Sequence, residues 1–377
     1  MTTEIDFLYL NERDMIAAGV TEIAECIDVM EETFVLLRDG DFKMAGANGN
    51  SHGAMVTFPE HPVFPGMPAD GPDRRFMAMP AYLGGRFGTT GVKWYGSNAE
   101  NRTTGLPRSI HLFTLNDTDT GAPLAVMSAN LLSAYRTGAV PGVGVKHLAR
   151  EDAKTVSVIG PGVMAKTAVE GVLALRPSID TLTVKGRGRA AIDDFVSYVQ
   201  KKYPQVTKID VVDTEQEAVR DADVVIVAVT TGAGGSSTFP HFDETWIKPG
   251  ALFLCPAAAH FDDDFIVNRA RTIVDHPGLY EAWKEEYGTD AYEILGIVGT
   301  HFYDLVNADL LNLEKIEQIA DIAQAEGPKR RSDDEIIIYS VGGMPVEDVA
   351  WGTTIYRNAI ERGIGVSLNL WDKPALA

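Results

Sequence analysis

The stretch Thr155 to Ala165, TVSVIGPGVMA, decides the fold. A β-branched run (Val156, Val158, Ile159) leads into Gly160-x-Gly162-x-x-Ala165 and then into a helical pattern. This is the strand–turn–helix that cradles a dinucleotide pyrophosphate. The first Gly makes the tight turn, the second lets backbone N–H groups approach the phosphate, and the small third residue lets helix pack on strand. The motif alone is common in loops; the strand before it and the helix after it give it meaning.

Downstream of this turn the pattern alternates. Residues 154–159, 180–185, 208–212, 223–228 and 251–255 read as strands with helical patterns between them, which predicts a parallel, doubly wound sheet. Upstream the pattern is different. Residues 8–40 read as a short strand, an N-cap at Asn11 and one helix through Ile27, Met30, Phe34 and Leu37, ending at Gly40. Residues 41–72, rich in Gly, Pro and Asn, read as irregular loop. RFMAMPAYL, TTGVKWYG, SIHLFTLND and APLAVMS then form a meander, with Thr118-Asp119-Thr120-Gly121 as a hairpin turn and a helix over 129–149. The tail strand IIIYSV and the helix 346–362 are expected to return to this first domain. The fold class is therefore α/β: a Rossmann-like doubly wound domain (131–327) inserted into a discontinuous α+β substrate and dimerisation domain (1–130 and 328–377).

Bulk composition narrows the function. A chain of 377 residues exceeds the range of one core, and its net charge of −20 argues against nucleic acid or an anionic membrane as partner. No apolar run reaches membrane-spanning length. The start MTTEIDFLYL lacks the basic and apolar regions of a signal peptide, and Cys26 and Cys255 suit a reducing compartment, so a cytoplasmic location is expected. The eight His are scattered and no C-x-x-C exists, so no metal site is expected.

The second parallel strand ends in Lys185-Gly186-Arg187-Gly188-Arg189, with no carboxylate. Cations there suit a 2′-phosphate, which favours NADP(H) over NAD(H); the alternative is a solvated basic turn. Outside this domain, Lys93 lies between Val92 and Trp94 on a strand. A Lys there is paired, carries protons at a lowered pKa, or snorkels at an edge. Arg136, at the junction of the domains, suits bidentate capture of a carboxylate and equally a structural ion pair. Arg75, ahead of its strand, is a second carboxylate candidate. His260 follows the fifth parallel strand, where ligand crevices form. It is a candidate proton carrier or a surface His beside Asp262–Asp264.

Taken together, MPAYLGG (79–85), GVKW (91–94), GLP (105–107), LNDTDTGAPLAVM (115–127), RTGA (136–139), IGPGVMA (159–165) and GGMPVEDV (342–349) resemble the ornithine cyclodeaminase/μ-crystallin family over nearly the whole chain. Within that family the likeness is greatest to the siderophore-pathway N-(1-amino-1-carboxy-2-ethyl)-glutamate dehydrogenase branch. The resemblance implies a homodimer built through the first domain's sheet, a nicotinamide cofactor between domains, and hydride transfer at a carbon bearing nitrogen in a small amino-acid-derived substrate. It makes Lys93 the active-site lysine, Arg136 the carboxylate-binding arginine and Arg75 a basic substrate-binding position of that branch. Candidate cofactor contacts are Arg136, Thr137, Gly160, Gly162, Val163, Met164, Lys185, Arg187, Arg189, Thr230 and Gly343. Where the family carries a catalytic Asp, this chain reads Ala259-His260. That departure favours an NAD(P)-dependent oxidoreductase on the C–N bond, with Lys93 and His260 catalytic. The alternatives are a redox-neutral ornithine cyclodeaminase and a non-catalytic NADPH-binding protein of the μ-crystallin kind.

Overall fold

Period-two alternation sets the first sheet. In the computed structural model, which describes residues 3–229 and 234–376, the strands Arg75–Leu83, Thr89–Ser97, Ser109–Asp117 and Pro123–Ser128 pair antiparallel in chain order. Their alternate residues are buried, as one packed face requires. The Asp117 side chain accepts from the amide and hydroxyl of Thr120 (2.8 and 2.6 Å), and Gly121 takes φ +75°, which closes the expected hairpin. Ile5–Leu10 and Val366–Trp371 extend the sheet at one edge and Phe42–Met44 at the other. The helix Pro345–Arg362 lies on the inner face, so close that a Cβ at Gly352 would sit 2.5 Å from the Phe113 ring.

The second sheet is parallel throughout, with strand order Lys208–Val212, Thr181–Lys185, Thr155–Ile159, Val224–Val227, Leu252–Cys255, Ile337–Ser340, Arg271–Val274, Ile316–Gln318. The order reverses between Thr155–Ile159 and Val224–Val227, the switch point at which doubly wound sheets bind ligands. Its strands Val224–Val227, Leu252–Cys255, Ile337–Ser340 and Arg271–Val274 are buried along their whole length, which apolar runs such as VVIV and LFLC allow.

The chain thus forms two units: Met1–Glu22, Asp39–Arg136 and Met344–Ala377 make one, and Ile23–Arg38 with Thr137–Gly343 make the other. Four expectations are corrected. The single helix over 11–40 is two, Glu12–Ala17 and Ile23–Asp39, because Gly19 takes φ +99° between them. The second of these belongs to the dinucleotide unit: Ile27 fills the space over Gly142, Lys146 binds Asp28 and Glu31 (2.8 and 2.7 Å), and His147 meets Glu31 at 3.0 Å. The loop 41–72 contains two short strands, Phe42–Met44 and Ala54–Thr57, both paired with Arg75–Leu83. Finally, Ile337–Ser340 does not return to the first unit. It sits inside the parallel sheet, because its short run IIYS can be buried on both faces with Ser340 hydrogen-bonded to Gly299 and Tyr280, and only the helix after it goes back.

Candidate active site

Three successive rungs of side chains on the inner face of the first sheet hold the candidate residues. Register aligns Met79, Lys93 and Phe113; then Met77, Tyr95 and His111; then Arg75, Ser97 and Ser109. Four residues of strand separate the first rung from the third, about 13 Å.

Lys93 is 1% exposed and lies on the face opposite Trp94. Its Nζ is 2.8 Å from Asp348 Oδ2 and donates to Ser133 Oγ at 3.1 Å. Arg136 donates from Nε to Asp348 Oδ1 (3.0 Å) and from Nη1 to Glu347 Oε2 (2.7 Å). All four charges are buried, so each is held by its neighbours rather than by water. Both carboxylates lie in the first turn of the helix that Pro345 opens, where the helix dipole favours negative charge. Burial and the Arg136 guanidinium bring the Lys93 ammonium down to about 8, against the opposing pull of Asp348 and Glu347. Burial raises the Asp348 carboxyl, but Arg136 and Lys93 outweigh it and the net shift is downward.

On the middle rung, the His111 ring packs against Tyr95 with centroids 4.7 Å apart and planes tilted by 52°, and its Nδ1 is buried without a hydrogen bond. Burial, then the nearby Lys93 charge, lowers it to about 4, so the imidazole is neutral at physiological pH. On the last rung, Arg75 is not a free cation. Asp73 pairs with it and with Arg108 (3.1 Å) and accepts from Ser97 Oγ at 2.5 Å.

The second unit carries the dinucleotide turn. Gly160 takes φ +89°, and a Cβ there would meet Ala228 O at 2.7 Å, so only Gly serves. Gly162 is the opposite case. It N-caps the helix Val163–Leu175 with no side-chain cap, and a Cβ on it would meet nothing within 4 Å. That leaves open space over the first turn of a 13-residue helix, the cradle a phosphate occupies. Val163 is exposed, Met164 half-buried and Ala165 buried, as the motif requires. Of the cations after the second strand, Lys185 is paired with Glu215 and Arg189 with Asp193; Arg187 is exposed. Thr137 lies on the helix Asn130–Leu148, one residue beyond Arg136. Gly343 takes φ +74°, its amide 3.4 Å from the buried Asp275 carboxylate. Thr230 lies outside the described residues. His260 belongs to this unit, on a two-stranded ribbon beside His241.

Sequence reading missed Glu347, Asp348 and His111. Two adjacent carboxylates inside the otherwise apolar PVEDVAWG were a signal, since such charges are buried only when paired. His111 gave none. It also missed a spatial cluster of His241, His260 and Asp262, whose potential ligand atoms lie within 4.8 Å of one another, because these residues follow no zinc spacing.

The chain is similar to N-((2S)-2-amino-2-carboxyethyl)-L-glutamate dehydrogenase of Staphylococcus aureus, 26% identical over 368 residues, covering 97% of this chain and 99% of that protein. It is similar to Delta(1)-pyrroline-2-carboxylate reductase of Bacillus cereus, 28% identical over 309 residues, covering 81% and 87%. The structure of the Thermococcus litoralis Delta(1)-pyrroline-2-carboxylate reductase in complex with NADH and L-proline superposes with a TM-score of 0.73 at 23% identity, covering 96% and 99%, which shows a shared fold. The sequence model of the ornithine cyclodeaminase/mu-crystallin family matches residues 19–363, and the chain belongs to that family.

Proposed function

We propose that this chain is an NAD(P)-dependent oxidoreductase acting on the C–N bond of an amino-acid-derived substrate, oxidising an amine or reducing an imine reversibly. The observation that carries this reading is the buried array of Lys93, Asp348, Arg136 and Glu347 in a chain that also holds a dinucleotide turn. The relatives described above, a dehydrogenase of an N-substituted glutamate and a pyrroline-carboxylate reductase, bear names that denote redox change at carbon bonded to nitrogen.

A bound nicotinamide dinucleotide supplies the hydride acceptor or donor. Gly160, Gly162, Val163 and Met164 would hold its pyrophosphate, with Thr137 and Gly343 as further contacts. Arg136 commits two of its N–H groups to Glu347 and Asp348. A guanidinium has five N–H donors, and the rest of the fork can take the substrate carboxylate. Lys93 hydrogen-bonds the same carboxylate and, at a pKa of about 8, passes a proton at Nζ without a large energetic penalty. His260 exchanges the proton on the substrate nitrogen. Arg75 takes a second carboxylate if the substrate carries one, displacing Asp73. Fixing the carboxylate orients the α-carbon, which supplies several kcal/mol of the barrier.

NADP(H) is favoured over NAD(H). Lys185 and Arg189 already face carboxylates, so Arg187 carries that preference. A homodimer fits the outer face of the first sheet, where Phe76, Trp94, Ile110 and Leu112 are exposed together and Phe76 stacks on Trp94 at 5.8 Å. The test is a cofactor-coupled panel of amino acids and 2-oxo acids, followed at 340 nm with NADH and NADPH separately. Net change in reduced cofactor supports the reading. Ammonia release without it makes the chain a redox-neutral cyclodeaminase, and no turnover across the panel overturns both.

A further inference from the structure

We propose that His241, His260 and Asp262 form a binding site for a divalent transition metal of the zinc type on the dinucleotide unit. The ribbon His241–Phe242 pairs in parallel with His260–Phe261, and its register puts His241 directly beside His260. Asp262 follows two positions along the same chain, on the same side of the ribbon as His260. His241 Nε2 and Asp262 Oδ1 stand 3.1 Å apart. That is close to the edge of a tetrahedral zinc site, about 3.3 Å for metal–ligand bonds of about 2.0 Å. One ligand atom from each of the three residues lies within 4.8 Å of the others. A cation needs only a small inward turn of side chains that reach solvent.

Two independent observations point to a ligand. The first is the tautomer of His260. Tyr292 donates its only hydroxyl proton to the Ala259 carbonyl at 2.7 Å, so its oxygen can only accept from His260 Nδ1, 3.2 Å away. The His260 proton is thereby held on Nδ1 and the lone pair stands on Nε2. Locking one ring nitrogen as a donor so that the other can ligate is how metal-binding imidazoles are oriented. Tyr292 is itself fixed, stacked on His301 at 4.7 Å and edge-on to Phe239 at 5.5 Å.

The second is the orientation of Asp262. It occupies the N-cap of the helix Asp263–Asn268, where an Asp ordinarily accepts from the first amides of the helix. Its side chain makes no such cap and turns to His241 instead. Two imidazoles and a carboxylate with open coordination on the solvent side match the three-ligand pattern of zinc centres that keep a water. His301 is the neighbouring imidazole but is engaged by Asp263 at 2.7 Å, which leaves three ligands rather than four.

The experiment uses the full chain, stripped with chelator and dialysed, with Zn²⁺ titrated calorimetrically and Co²⁺ added as a spectroscopic probe. The expected result is saturation at one equivalent and a visible Co²⁺ band of a four- or five-coordinate site. His241→Ala and Asp262→Asn each weaken binding at least about tenfold, and Tyr292→Phe weakens it about tenfold while keeping the ring stack. Far-UV circular dichroism confirms that each variant is folded. No heat with Zn²⁺, or a Co²⁺ spectrum of the hydrated ion alone, overturns the proposal. So does undiminished binding in both His241→Ala and Asp262→Asn. Binding is read by heat and colour rather than by turnover, so its failure leaves the redox reading untouched; its success takes His260 Nε2 out of proton exchange and leaves that step to Lys93.

Discussion

The two sheets of this molecule treat charge in opposite ways. The antiparallel sheet buries one face, and on that face it places Lys93 against Arg136, Glu347 and Asp348. The parallel sheet buries both faces of its central strands Thr155–Ile159, Val224–Val227 and Leu252–Cys255 and places no charge on them, so its chemistry lies in turns at strand ends, such as Gly160–Ala165 and the segment around His260. A strand of alternating burial can turn a charged residue inward and surround it with partners from a helix above. A strand buried on both sides holds a charge only at an end that partners can reach, as Arg271 at the start of Arg271–Val274 meets Glu317 and Glu335. One sheet therefore holds a preorganised charged array, and the other offers a frame for a cofactor.

The sharpest way to break this contrast is Lys93→Ala. It is expected to lower turnover by about 10²–10⁴-fold, the usual worth of a positioned proton carrier. Dinucleotide binding, measured by fluorescence titration, stays unchanged because the turn is in the other unit. Near-normal turnover removes Lys93 from the reaction.

Asp348→Asn comes next and tests the array as structure. It leaves Lys93 and Arg136 buried with one anion between them, and a broken buried pair costs about 3–5 kcal/mol, read from urea unfolding. A loss below about 1 kcal/mol, the size of an exposed pair, would mean the array is not dry.

The pH profile sharpens the same point. Lys93 is charged below about 8 and neutral above it. Amine oxidation, which needs a proton acceptor, should rise as pH passes through that value, and imine reduction should fall. Because the folded value lies below the ordinary 10.5, the unfolded chain binds more protons between about 8 and 10.5, and Lys93 adds stability as pH rises through that window. A profile flat across pH 8 in both directions contradicts the assignment.

Gly162→Ala probes the frame. Its Cβ would enter open space and its φ of −109° suits any residue, so stability should change by no more than about 0.5 kcal/mol. Dinucleotide affinity should drop at least about tenfold, 1.4 kcal/mol, in the same fluorescence titration. Unchanged affinity would empty the turn of its role.

The smallest effect is expected at Glu31→Gln. The Lys146 and His147 contacts outweigh partial burial and bring the Glu31 carboxyl down to about 2. Its stabilisation is present above the ordinary 4.5 and is lost as pH falls through about 2. The group is partly solvated, so less than about 1 kcal/mol should separate the variant from the parent near neutrality.

Legibility in the sequence followed the range of the interaction. The turn at 160–165, the meander strands and the Asn11 cap were legible because each depends on residues a few positions apart, and so were Lys93 and Arg136 as candidates. The place of Ile337–Ser340 was not. A short apolar run has the same pattern in either sheet, and only burial on both faces distinguishes them. Glu215 neutralising Lys185 was equally invisible, since the pair is 30 residues apart and local spacing carries no trace of it, whereas Asp73 stands two residues before Arg75 and was overlooked.

By itself the amino-acid sequence determined which segments become strands, helices and the phosphate-cradling turn, because those choices rest on periodicity, β-branching and the torsional freedom of Gly. Only the tertiary structure decided which charges are spent on each other. Asp348 reaches Lys93 and Arg136 across more than 200 residues of chain. The physical reason is that the energy of a buried ion depends on what surrounds it in space, and that is fixed only when the helix at 345–362 closes over the sheet.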